Sequence, residues 1–304
     1  MKNSKLRILI LIMLAVVVTE CMVLNYIKNK VVQVAGSQKT MTAATVLDIG
    51  GRMSALAHDC GPDYVASSHI YSHRGVEGEI EHSFEAYDSA IEAGSRYIEQ
   101  DIVMSKDGTV YVSHDPNAVY MTGVSKLYAD MTDEEIDELR TYKGKEILKL
   151  SDVFDRYGRS VNYVIELKVD DERLISGFEE LIDRYGYEDI VTAQCESLAP
   201  LSSLKQKYPE MPMLYVCRTK RQIAEGMAEP YVDIIGVRAN YMSAGRCDAV
   251  HNAGKKFCVW TLNTREGIET AIEIGADSYF TNDTALAMET EKSNYAVRLK
   301  RHSG

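Results

Sequence analysis

The sequence predicts an α/β protein: a TIM (β/α)8 barrel, preceded by one N-terminal transmembrane helix. Three observations lead there. From residue 69 onward, short β-branched or aromatic runs alternate with amphipathic helical segments, the pattern of a parallel sheet. About eight such units follow one another, the number that closes into a barrel. Four polar clusters also stand at or near the ends of apolar runs: His73-Arg74-Gly75, Glu99-Gln100-Asp101, His114-Asp115 and Glu166-Leu167-Lys168. In a closed α/β barrel the C-terminal strand ends converge on one face. An open doubly wound sheet is the structural alternative. No glycine-rich loop follows any strand, which argues against a dinucleotide or P-loop site.

The elements follow in order. Lys2, Lys5 and Arg7 precede an apolar run over 8–18; Thr19 and Glu20 interrupt it, it resumes over 21–24, and Lys28 and Lys30 close it. Extended to residue 27, the run is long enough to span a bilayer. A cleaved signal peptide competes with an uncleaved anchor. Small residues at cleavage spacing are missing after the run, which favours the anchor. The expectation is a single-pass protein of the cell membrane, with 1–30 as cytoplasmic stub and anchor, 31–66 as linker and an extracytoplasmic barrel over 67–290.

Within the barrel, 69–72 reads as a strand and 83–93 as a helix stopped by Gly94. Strand 97–104, the turn Lys106-Asp107-Gly108 and strand 109–113 form a hairpin. Helix 132–140 opens on Thr132 with Glu135 three residues on, a capping-box spacing. Strands then fall near 162–167, 190–193, 213–217, 232–236, 257–261 and 278–281. Helices fall between them near 171–185, 198–207, 221–228, 244–253, 264–274 and 283–292. Residues 291–304 read as a frayed polar tail.

Bulk properties narrow the function. The chain has 304 residues and a net charge of −11. Such a surface repels nucleic acid and anionic lipid as non-specific partners. The six cysteines include no Cys-x-x-Cys pair, so neither a zinc cluster nor a disulfide framework is expected.

The clusters carry the chemistry. Glu99 and Asp101 are two apart on a strand and share a face, as do Glu166 and Lys168. Carboxylates aimed into a barrel are costly without a compensating cation. Glu99, Asp101 and Glu166 can hold one hard divalent metal through oxygen, Mg²⁺ or Ca²⁺ rather than zinc. Read alone, each cluster is also consistent with a solvated strand end or a structural histidine. Their order and spacing give them weight.

That order resembles the glycerophosphodiester phosphodiesterase family. The family pattern runs His-Arg-Gly, Glu-Asn-Thr, Glu-x-Asp, Lys-Asp-Gly and His-Asp. Here these stand as His73-Arg74-Gly75, Glu81-His82-Ser83, Glu99-Gln100-Asp101, Lys106-Asp107-Gly108 and His114-Asp115. Glu166-x-Lys168, Trp260-Thr261-x-Asn263 and Gly275-Ala276-Asp277 leading to Thr281-Asn282 follow, so the likeness covers about 69–288. The resemblance implies a TIM barrel with a small insertion after the second strand, which 109–149 would fill, a metal on Glu99, Asp101 and Glu166, His73 and His114 as acid–base pair, and Arg74 and Lys168 on the phosphate oxygens.

The chemistry implied is metal-dependent hydrolysis of glycerophosphodiesters to sn-glycerol 3-phosphate and an alcohol. Trp260, the single tryptophan, packs at the barrel mouth or walls a glycerol carbon chain. Two departures stand out. His82 replaces the family asparagine and either donates into the site or faces outward. The segment after His114-Asp115 is reduced to Tyr120-Met121-Thr122-Gly123, so substrate contacts from it are open. Gln100 is expected to face the helices. The Asn282-Asp283-Thr284 sequon is expected to be structural. Two other functions compete: a membrane-associated phospholipase acting on lysophospholipid or phosphoinositide, and a degenerate barrel used only for binding.

Overall fold

The computed structural model describes residues 69–302, with side chains as far as 295. The anchor and linker expected over 1–66 lie outside the described residues. Among the described residues no helix is long and apolar enough to cross a membrane.

Eight parallel strands close on themselves: β1 (His69–Ser72), β2 (Tyr97–Met104), β4 (Asn162–Leu167), β5 (Val191–Cys195), β6 (Met213–Cys217), β7 (Ile234–Arg238), β8 (Lys256–Trp260) and β9 (Ser278–Thr281). Closure is made by β1, which pairs with β9 on one side and β2 on the other. The short β3 (Val110–Val112) runs antiparallel to the far end of β2 and completes the expected hairpin. Each barrel strand is followed by a helix: α1 (Phe84–Glu92), α4 (Leu150–Tyr157), α5 (Glu172–Tyr185), α6 (Leu198–Lys207), α7 (Lys220–Ala228), α8 (Ala244–Asn252), α9 (Arg265–Ile274) and α10 (Thr284–His302). Between β3 and α4 lie two short helices of the insertion, α2 (Val119–Thr122) and α3 (Asp133–Asp137).

Strand alternation sorts the side chains into two layers. Tyr71, Val164, Leu214, Ile234, Cys258 and Phe280 fill the barrel interior. Ile98, Ile165, Tyr215 and Tyr279 belong to the larger core between strands and helices. A third core, around Tyr111, Met121, Tyr128 and Ile136, belongs to the insertion. Several helices start where side-chain oxygens satisfy free N–H groups. Ser83 caps α1, Thr264 caps α9, and Thr132 with Glu135 forms the expected capping box on α3.

Two segments depart from expectation. Residues 150–157 were given no element, yet Leu150, Val153, Phe154 and Tyr157 make α4, the helix that follows β2 in the barrel alternation. The tail expected over 291–304 instead continues α10 to His302, with Glu291 buried. The missed helix matters to packing. The Phe154 ring is fully buried, with Tyr163, Tyr187 and Tyr185 ring centroids 4.9, 5.1 and 5.2 Å away. Phe154→Ala is expected to cost about 3–5 kcal/mol by loss of burial and an unfilled cavity. Thermal unfolding should show a Tm lower by about 10 °C; an unchanged Tm would mean the cluster carries little stability.

Candidate active site

The site is built on the C-terminal ends of the barrel strands. Interstrand register aligns Asp101 with Glu166, and Glu166 with Gln194. Alternation then turns Glu99, Asp101, Glu166 and Gln194 to the interior and leaves Gln100 among the helices, as expected. The three carboxylates offer oxygens within 4.8 Å of one another, and all three residues are buried.

Their neighbours show how the charge is carried. The loop after β1 folds back on itself, with His82 N–H donating to the Arg74 carbonyl at 2.9 Å. Arg74 and His82 both adopt left-handed backbone, φ 59° and 60°. Gly75 between them has φ 99° and lies so close to Ala86 that an added Cβ would sit 2.4 Å from the Ala86 Cβ. Only glycine allows α1 that close. This fold of the loop presents the Arg74 N–H to Glu99 Oε2 at 2.9 Å and the guanidinium to Asp101 and Glu81, at 3.3 and 3.1 Å. Lys168 Nζ reaches Glu166 Oε1 at 2.8 Å and Asp101 Oδ1 at 3.3 Å.

His82 faces inward. Its Nε2 lies 3.0 Å from Asp101 Oδ2 and its Nδ1 2.9 Å from the Tyr87 hydroxyl. A carboxylate only accepts, so Nε2 carries the proton toward Asp101 and Nδ1 accepts from Tyr87. His82 thus gives the site an N–H donor, the part an asparagine amide would play.

The carboxyls respond unequally. Burial, then the Asp101 charge, raises Glu99 well above the usual carboxylate range. Burial and Asp101 likewise push Glu166 up to about 7. Burial also opposes ionisation of Asp101, but His82, Lys168 and Arg74 outweigh it and hold that carboxyl below its usual range. Three buried acids against two fixed cations leave a deficit of positive charge. A hard divalent cation held by Glu99, Asp101 and Glu166 would remove it, and the all-oxygen donor set suits one.

The two remaining histidines flank the cluster. His73 Nδ1 is 2.7 Å from Asn282 Oδ1. The amide oxygen accepts, so Nδ1 carries the proton and Nε2 presents a lone pair. Burial, with Arg74 next, pushes His73 down to about 4. His114 Nδ1 is 3.2 Å from Asp115 Oδ1. Burial also lowers His114, with Lys168 and Arg74 adding and Asp101 opposing. Two clefts open beside the cluster. One of about 400 Å³ includes His114, Lys168, Glu196 and Arg218; one of about 410 Å³ includes His73, Arg74, Glu81 and Tyr142.

Seven of the eight expected site residues therefore meet in one place. Trp260 stands one step away: its Nε1 donates to the Gly236 carbonyl at 3.2 Å, and Arg218 and Arg238 lie 5.5 and 5.7 Å from its ring centre. Two residues were not foreseen. Gln194 Nε2 donates to both Glu99 and Glu166, at 3.1 and 3.0 Å, joining two of the acids. Asn282 orients His73. The first gave no sequence signal, being a lone glutamine in a buried strand. The second belongs to the Thr281-Asn282 motif, but locally its sequence context signals only a sequon.

The glycerophosphoryl diester phosphodiesterase family pattern matches residues 73–286. The chain belongs to that family. It is therefore a phosphoric diester hydrolase by class. A glycerophosphodiester phosphodiesterase of Bacillus subtilis is 24% identical over 250 residues, 73% of this chain and 85% of that one. A lysophospholipase D of Mus musculus is 28% identical over 160 residues, 48% of each chain. An Oleispira antarctica phosphodiesterase, solved with its product sn-glycerol-3-phosphate, superposes with a TM-score of 0.66 at 19% identity, over 73% of this chain and 96% of that one. At that identity the likeness speaks to the barrel fold.

One calorimetric titration with Mg²⁺ tests the electrostatics of this family member. Protons on Glu99 and Glu166 compete with the cation, so affinity should rise, with proton release, as pH increases through about 7. A flat pH dependence would contradict the raised carboxyls. In the same titration, His82→Ala should weaken binding about 10- to 100-fold. His82→Asn, which restores the family amide, should recover most of the loss.

Proposed function

We propose that the protein hydrolyses glycerophosphodiesters to sn-glycerol 3-phosphate and an alcohol, with His73 as general base and His114 as general acid. The observation that carries the assignment is the contrast between their partners. Asn282 fixes the His73 tautomer but offers no charge to an imidazolium, and burial keeps the ring neutral. The Nε2 lone pair is then free to take a proton. Burial lowers His114, but Asp101 and the adjacent Asp115 both favour its cationic ring, which can give a proton up.

The attacking hydroxyl, from water or from the substrate glycerol, passes its proton to His73. The phosphorus–oxygen bond to the alcohol breaks, and His114 protonates the departing oxygen. Arg74 and Lys168 lie within reach of the non-bridging oxygens, where charge builds up. Bound at Glu99, Asp101 and Glu166, a divalent cation, Mg²⁺ or Ca²⁺ by the hardness of its ligands, supplies further stabilisation of that charge. Trp260 is proposed as an apolar wall at the mouth, kept in place by Arg218 and Arg238.

The test is steady-state hydrolysis of sn-glycero-3-phosphocholine by the full chain with Mg²⁺ or Ca²⁺. His73→Ala and His114→Ala should each lower kcat about 10²- to 10⁴-fold. An ester with a p-nitrophenol leaving group needs no acid, so it should largely rescue His114→Ala and leave His73→Ala impaired. Rescue of the opposite variant would reverse the roles; full activity of both would end the proposal. The membrane placement also stands as a proposal, resting on the basic-flanked apolar run over 8–27. Carbonate washing of membranes should leave the full chain in the pellet, and its release would exclude a spanning anchor.

A further inference from the structure

Gln194 stands where a fourth ligand would. On β5 it lies beside Glu166 of β4, which in turn lies beside Asp101 of β2, and the residue is 2% exposed. Its Nε2 donates to Glu99 Oε1 and Glu166 Oε2. The carboxamide oxygen, by contrast, is buried and has no hydrogen-bond partner among the described residues. Asp101 Oδ1, in the same pocket, likewise accepts no hydrogen bond and has the Lys168 ammonium 3.3 Å away as its ion-pair partner. We propose that Gln194 is a further ligand of the divalent cation, through Oε1, and that it tilts the site toward Ca²⁺ over Mg²⁺. The inference rests on the cation site of the proposed function and names one more residue of it.

The argument for the oxygen is electrostatic. A buried acceptor without a partner is costly. A carboxamide is a fork with a donor arm and an acceptor arm of nearly the same shape. Which arm faces inward depends on what lies between it and its neighbours. Against carboxylates alone the amide hydrogens must face inward, because oxygen would meet oxygen. A cation among the same acids reverses that preference: it repels the hydrogens and attracts the carbonyl. A half-turn about the last side-chain torsion, a soft rotation, exchanges the two arms without moving the strand. Oε1 then has its partner, and Glu99 and Glu166 exchange an amide hydrogen bond for the cation.

Ligand number separates the two hard cations. Mg²⁺ demands an octahedron, keeps several waters and takes a carboxylate or two from the protein. Ca²⁺ accepts roughly 6–8 oxygens in flexible geometry, carboxamide carbonyls among them. Three carboxylates and one carboxamide converge here from β2, β4 and β5 in a buried layer. That crowding displaces the waters Mg²⁺ would retain. A Gln194 that only donated to the acids makes the opposite forecast. It would compete with the cation for Glu99 and Glu166, and its removal would strengthen binding.

The experiment titrates Ca²⁺ and Mg²⁺ calorimetrically into the metal-free full chain. Bound water is counted from terbium luminescence lifetimes in light and heavy water, with Tb³⁺ standing in for Ca²⁺. Gln194→Leu, close in size and without an oxygen, should weaken Ca²⁺ about tenfold and Mg²⁺ less, and should add about one water to bound Tb³⁺. Gln194→Glu keeps an oxygen in place and should bind Ca²⁺ at least as tightly as the wild type. Thermal unfolding checks that both variants stay folded. Unchanged or tighter Ca²⁺ binding by Gln194→Leu, or an unchanged water count, overturns the ligand assignment. So does a loss of affinity shared by Gln194→Glu, which would trace to packing. Equal losses for the two cations overturn the Ca²⁺ preference. A wild type that binds neither cation overturns the cation site itself.

Discussion

Three carboxylates share one buried pocket, and the arrangement around them answers that constraint. Glu99, Asp101 and Glu166 cannot all be charged in a low-dielectric site unless positive charge or donors face them. Arg74 and Lys168 provide the charge, while His82, Gln194 and the Arg74 backbone provide donors. Even so, two of the three acids remain reluctant to ionise. That residual deficit sets the cluster apart from a self-sufficient ion-pair network, and its all-oxygen donor set fits a hard divalent cation. The same geometry leaves Arg74 and Lys168 bordering the clefts in front of the acids.

The barrel makes this concentration of charge attainable. Parallel register sets Asp101 beside Glu166 and Glu166 beside Gln194, so three neighbouring strands deliver one polar layer above an apolar interior of Val164, Leu214, Cys258 and Phe280. The fourth contribution comes from a loop, and it demands unusual backbone. Left-handed conformations at Arg74 and His82, with Gly75 packed on Ala86, turn one residue's N–H and another's imidazole toward the same acids. Strain of this kind persists only where surrounding contacts over-determine it. Here those contacts are the hydrogen bonds to Glu99 and Asp101.

Much of this was legible in the sequence because strand period and turn chemistry are local. β1, β2, β4, β6 and β9 fall where alternation of β-branched and aromatic residues put them, and the two-residue spacing of Glu99 and Asp101 already implied a shared face. The illegible parts depend on register or on tertiary cover. α4 has apolar residues at 150, 153, 154 and 157, a helical period, but its eight residues lie between an insertion and a strand, where a short window reads as connection. Gln194 becomes meaningful only when β5 is aligned with β4. The inward turn of His82 depends on a left-handed backbone that no propensity for histidine would suggest. Asn282 was visible, but its role required knowing which imidazole lay across 209 residues of chain.

The two sides of the site differ in a way that bears on direction of reaction. Both imidazoles are lowered by burial, so the ring nitrogens alone do not distinguish acid from base. The distinction comes from what each Nδ1 meets. An amide oxygen fixes orientation and adds no charge, so the Nδ1 contact of His73 does not favour an imidazolium. A carboxylate beside His114 Nδ1 favours the imidazolium and works against the burial that lowers this ring. The clefts follow the same division. The His114 side is dominated by charged groups such as Lys168, Glu196 and Arg218, suited to a solvated leaving alcohol. The His73 side grades from Arg74 and Glu81 to the tyrosines of the insertion. The insertion breaks the βα alternation at that point: it carries His114 and Asp115 to one cleft and Tyr120 and Tyr142 to the other.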